Sequence, residues 1–155
     1  MLGILTRVIP HPPNFTAIGA IALFGGAFIK EKRLALIIPT IIMLISDLIM
    51  GYELILSVYI SFIIMVSLGW LLRLKQTIWK IINISVLGSL LFFLITNFSV
   101  FLTSSMYPKS IIGLIECYTL AIPFFINTLL ANVIYSIIMF YSFKIIKEKI
   151  ILISR

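Results

Sequence analysis

Long apolar runs, each closed by a short polar or charged knot, set the pattern of this 155-residue chain. The first runs from about Pro13 to Ile29, the second from Leu34 to Gly51, the third from Leu54 to Leu72 and the fourth from Ile81 to about Thr103. Lys30-Glu31-Lys32-Arg33 and Gly51-Tyr52-Glu53 read as the tight connections between the first three. Runs of this length match the roughly 20 residues that carry a helix across a bilayer, and the first, reaching about 25 Å, is slightly short. From Ser110 to Lys144 the chain is apolar except for Glu116, Asn127, Asn132 and a few hydroxyls. One helix over that stretch would be about 51 Å long, too much for one straight span and too little for two. Pro123 divides it, since proline removes a backbone donor and clashes with the preceding turn. The pattern predicts an outer half-span over Ile111 to Ile122 and a full span from Pro123 to about Phe143. The expected fold is all-α: a polytopic transmembrane helix bundle of about five full spans plus an outer half-span.

Composition agrees with that pattern and charge orients it. The chain is 62% hydrophobic and 11% charged, with a mean hydropathy of +1.24, which places residues 1–155 in one integral membrane domain with the lipid bilayer as its solvent. The net charge of +7 would suggest nucleic acid in a soluble protein, but here it is a topology signal. Five spans put Lys30, Lys32, Arg33, Arg73, Lys75, Lys80, Lys144, Lys147, Lys149 and Arg155 on one side, against Arg7 and Lys109 on the other. The basic side is cytoplasmic by the positive-inside rule, so the C-terminus lies inside and the Pro-His-Pro-Pro loop outside a cell (inner) membrane. No nucleic-acid partner is needed. Trp70 and Trp79, beside basic residues, mark the same interface. The single cysteine, Cys117, excludes an intrachain disulfide and reads as packing. Met1 to Thr6 is too short for the apolar region of a signal peptide.

Two groups of residues remain after topology is assigned. Gly19, Ala22 and Gly26 fall at i, i+3, i+7 in the first span, where small side chains let another helix approach closely. The stretch Arg7 to Thr16 holds the only histidine and half of the six prolines. It reads either as a boundary loop with Asn14 capping the next helix or as a stiff lid carrying His11 and Asn14 over a pocket. By depth, Asp47, Asn97, Tyr107, Glu116 and Asn127 join them on the outer side, with Tyr52 and Glu53 nearby. These seven, His11, Asn14, Asp47, Asn97, Tyr107, Glu116 and Asn127, are the candidate substrate-binding residues. Asp47 reads equally as a carboxylate reaching interfacial water, and Asn97 and Asn127 as hydrogen-bond links between helices. Glu116 stands among apolar neighbours in a segment expected to be at least partly buried. One histidine with scattered carboxylates has no metal-ligand spacing, and no catalytic serine, phosphate loop or paired acid motif is present. The expectation is a protein without enzyme activity, cofactor or metal.

The string from Arg7 through Pro10-His11-Pro12-Pro13-Asn14-Phe15-Thr16 to Gly25-Gly26-Ala27 resembles the opening of a family of small, uncharacterised membrane proteins described as transport proteins. The resemblance continues through Ser46-Asp47-Leu48, Gly88 to Phe98, Tyr107-Pro108-Lys109 and Ile122 to Leu130. That family is in turn similar to the substrate-binding (S) components of energy-coupling-factor transporters, six-helix proteins whose outer loops close over a small molecule. The resemblance implies a small-molecule solute as ligand, and a transmembrane coupling subunit with ATPases as partners. It also implies a further hydrophobic helix before Arg7, where only Met1 to Thr6 stand here; that helix would bring both ends to the cytoplasmic side. The expected function is capture of a small solute from the extracytoplasmic side. The alternatives are a homo-oligomeric proton-coupled transporter, with Glu116 or Asp47 titrating, and a structural membrane subunit without a ligand.

Overall fold

The computed structural model describes residues 2–153, which form six α-helices: α1 (Leu2–Val8), α2 (Ile18–Phe28), α3 (Lys32–Met50), α4 (Leu56–Gly69), α5 (Ile78–Thr103) and α6 (Ile111–Ile153). A 3-10 turn, Trp70–Leu72, extends α4. Short connections fold each helix from α3 onward back along its predecessor, while α1 packs on α3. Three helices, α3, α5 and α6, are long and apolar enough to cross a membrane. These make the chain a multi-pass membrane protein.

Glycine and alanine put α2 at the centre. Its buried residues, Ile18, Gly19, Ala20, Ala22, Leu23, Gly25, Gly26 and Ala27, face every direction, and α3, α4, α5 and α6 all pack on it. A Cβ on Gly26 would stand 2.0 Å from the carbonyl oxygen of Val66, and one on Gly69 would stand 2.3 Å from that of Leu23. The backbones of α2 and α4 therefore touch where these glycines cross, as small residues permit in apolar surroundings. At the other end of α2 a Cβ on Gly19 would lie 2.1 Å from Asn132 Oδ1 of α6. Both close neighbours belong to the same chain.

The α5–α6 pair forms a second unit. Gly113, Cys117, Ala121, Thr128, Ala131, Asn132, Ser136 and Phe140 are buried in α6, spaced along one stripe of mostly small and polar side chains. They meet α5, whose buried stripe is Ile81, Ser85, Gly88 and Ser89. Toward their connecting loop the two helices are joined by Tyr118 donating to the Leu94 carbonyl at 2.8 Å and Cys117 Sγ to that of Asn97 at 3.5 Å.

Three expectations need correction. The break at Pro123 does not occur: α6 runs through it as one helix of 43 residues, so Ile111 to Ile122 is no separate half-span. Pro123 is exposed on the face of α6 away from the bundle, where the lost donor and displaced carbonyl leave packing undisturbed; Pro39 also sits inside a helix, α3, but there it is buried. The first span is shorter than expected, because helix begins at Ile18 and not near Pro13. Its 11 residues give about 16 Å. Against five expected full spans, three helices among the described residues, α3, α5 and α6, are long and apolar enough to cross a membrane. Residue Arg155 lies outside the described residues.

The basic knots gather at one end. There Arg73 donates from Nε to the Gly26 carbonyl at 2.9 Å and from Nη2 to the Ile29 carbonyl at 2.7 Å, placing a cation on the unpaired carbonyls that close α2. Lys32 lies over the Trp70 ring, 5.0 Å from its centroid. Phe24, Phe28, Phe140 and Phe143 fill the space above, with Phe28 and Phe143 centroids 4.3 Å apart and Phe24 edge-on to Phe140 at 5.3 Å.

Candidate functional site

At the opposite end a cavity of about 610 Å³ opens between α1, α2, α3, α4 and the middle of α5 and α6. That volume lies within the range of small-molecule sites. Its mouth is polar, with Arg7, His11, Asn14, Asp47, Tyr52 and Glu53; its depth is apolar, with Met43, Val58, Phe62, Met65 and Phe92.

The mouth is held by an ion pair. Asp47 sits in the last turn of α3, where the helix dipole is negative and a carboxylate needs a compensating cation. Arg7 supplies it: Nη1 lies 2.6 Å from Asp47 Oδ1, with side-chain exposures of 11% and 3%. The same nitrogen donates to Ser46 Oγ at 2.7 Å and approaches Met43 Sδ at 3.0 Å. Tyr59 donates its hydroxyl to Asp47 Oδ2 at 2.7 Å, so both carboxylate oxygens are engaged, as a buried charge requires. Gly51, at φ 67°, ends α3 in the left-handed conformation that glycine adopts without strain. The Tyr52 amide then turns back to the Asp47 carbonyl at 2.9 Å. This brings the Tyr52 ring to 5.7 Å from the Arg7 guanidinium.

The loop over the cavity is a built turn. The Phe15 amide donates to the Pro12 carbonyl at 3.0 Å; Pro13 and Asn14 occupy the corners, and Asn14 has φ 64°. This is a type II turn, with proline preset for the first corner and asparagine tolerating the positive φ of the second. Asn14 therefore shapes the loop and does not cap a helix. The residue at the start of α2 is Ala17, which has no side-chain cap; its own amide donates to Thr6 Oγ1 at 3.1 Å. Asn127 fastens the loop from α6, donating to the Pro13 carbonyl at 3.0 Å, and Phe15 packs against Tyr135 with centroids 5.9 Å apart.

Of the seven residues picked from the sequence, His11, Asn14 and Asp47 line the cavity. Half-buried His11 places Nδ1 2.6 Å from the Ile9 carbonyl. Asn127 spends its amide on the loop and does not line the cavity. Asn97 bonds back to the Phe93 carbonyl of its own helix at 2.8 Å. Tyr107 belongs to the α5–α6 connection, and Glu116 is exposed on α6, so Glu116 is not in the partly buried setting expected for it. The Arg7 contact was missed because an arginine next to the loop reads as a topology charge, and pairing it with Asp47 requires contact across 40 positions. Asn132 was also missed. It lines the cavity at 2% exposure and donates to Ser89 Oγ at 2.8 Å. The signal for it was Thr128, Asn132 and Ser136 at four-residue spacing in an apolar helix. Among the described residues no group of three His, Cys, Asp or Glu comes together as metal ligands would.

Comparison with curated proteins and with solved structures returned no match. A family match does cover the chain, over residues 1–153, from the helix that carries Arg7 through the loop, the ion-pair partner on α3 and both long helices. The chain belongs to DUF6580, a family of unknown function.

Proposed function

We propose that this protein captures a small solute from the extracytoplasmic side of the inner membrane, as the substrate-binding components of energy-coupling-factor transporters do. The observation that carries the reading is the 610 Å³ cavity, with its polar mouth and apolar depth. It lies at the end of the bundle away from Lys30, Lys32, Arg33, Arg73, Lys75 and Lys80, and a basic end is a cytoplasmic one by the positive-inside rule. The proline-stiffened loop across the mouth supports closure, since a preordered loop loses little entropy when a ligand seals it. Binding and not catalysis is what the lining favours, and a coupling subunit with ATPases is the partner the resemblance suggests.

Mass spectrometry of small molecules released from the detergent-purified protein tests this reading. A defined molecule should co-purify with the parent protein and be lost from Val58→Trp, which fills the cavity from α4. Absence of any such molecule from the parent, or equal retention by a well-behaved Val58→Trp protein, would overturn it.

A further inference from the structure

Resting on the reading of the cavity as a solute site, we propose that its solute carries a carboxylate on an apolar body, with the carboxylate held by Arg7 and the start of α2. Every described hydrogen bond of the Arg7 guanidinium leaves from Nη1. An arginine has five N–H donors in a planar fork, so among the described residues Nε and Nη2 are unpaired while the side chain lines the cavity. Asp47 is in the opposite condition, with Oδ1 taken by Arg7 and Oδ2 by Tyr59. The pair thus offers the cavity donors.

The start of α2 adds more of them. Ile18 and Gly19 line the cavity, and the first amides of a helix have no intrahelical acceptor and carry its positive dipole end. Asn132, 2% exposed, stands against Gly19; its Nδ2 is spent on Ser89, and its Oδ1 has no described donor. It offers an acceptor to a hydroxyl or amide of the solute. An amine would meet a guanidinium and a helix N-terminus, both of the wrong sign, and its one carboxylate free of a described cation would be Glu53, exposed at the rim of the mouth. A wholly polar anion would leave Phe62, Met65 and Phe92 facing it without apolar contact. A carboxylate on an apolar body satisfies both halves of the cavity.

A panel of phenylalkanoic acids with their matching alcohols, amides and amines tests the assignment on the detergent-solubilised protein, by thermal shift and calorimetry. Acids should bind at least about tenfold tighter than the matching alcohols, the discrimination that a charge-assisted contact supplies. Arg7→Gln combined with Asp47→Asn removes both charges and leaves neither stranded, and should erase that preference. Asp47→Asn alone should widen it, because a competing negative charge is gone. Alcohols or amines binding as tightly as acids, or an acid preference that survives the double variant, would overturn the carboxylate assignment and leave the cavity a solute site. No binding by any panel member overturns the assignment as well; the co-purification measurement then decides separately whether the cavity takes a solute.

Discussion

Arg7 and Asp47 are joined across the mouth of the cavity, and their energetics are asymmetric. Removing one partner of a buried pair strands the other, at about 3 kcal/mol or more, whereas replacing both by neutral groups of similar shape is far milder. Arg7→Ala should therefore lower the unfolding midpoint in detergent sharply, and Arg7→Gln with Asp47→Asn should recover most of it. A double-mutant cycle read by thermal unfolding checks this; additive losses would mean that the two side chains do not act as a pair. A second contrast lies along α5 and α6. Ser89 holds the Asn132 amide, while the hydroxyls of Ser85 and Ser136, one turn further along, are buried without a partner. Ser89→Ala should cost about 1–3 kcal/mol by orphaning that amide, and Ser136→Ala should change stability by less than about 1 kcal/mol in either direction. The sequence made Asp47, His11 and Asn14 visible as polar positions at the right depth. It could not reveal Arg7's role, because depth and spacing say nothing of which helix end a short α1 will meet.

Within single elements, periodicity was legible and interruptions were not. The bounds of α3 and α5 lie close to those read from hydropathy, since an unbroken apolar run flanked by charge has few alternatives in lipid. Pro123 misled because its steric cost is fixed by local chemistry, while its consequence depends on whether the helix has neighbours to stay straight against. The stripe from Cys117 to Phe140 packs on both sides of Pro123 and keeps α6 in line. Gly26 was legible as a small residue, but its partner Gly69 in α4 was not, because a crossing point is a property of two helices. Gly26→Val should prevent that crossing, since its Cβ meets backbone at 2.0 Å with no side chain to yield. A loss of folded yield is expected there, against little change for Gly51→Asn, which faces open space at a φ that asparagine tolerates. Arg73→Ala should destabilise by about 1–3 kcal/mol through the two charged bonds it gives α2.

For the molecule as a whole, orientation is the reading from which the most follows. A reporter fused after Arg155 should report cytoplasm and one inserted at Tyr107 should report the outside; a cytoplasmic Tyr107 would invert the cavity and remove the proposed capture side. The helices beside this cavity are also of unequal height. The 19 residues of α3 reach about 28 Å, and the 26 of α5 about 39 Å. The hydrophobic belt is therefore low on one flank and high on the other. A bilayer meeting such a belt must thin locally beside α3 or let the α5–α6 pair lean, and either response stores elastic energy that grows with the mismatch. Because Asn127 ties α6 to the Pro13 carbonyl, a leaning pair pulls on the roof of the cavity. Membrane thickness thus becomes an input to the site: in vesicles of graded acyl-chain length, thermal stability and solute affinity should peak together at one thickness and fall on both sides of it.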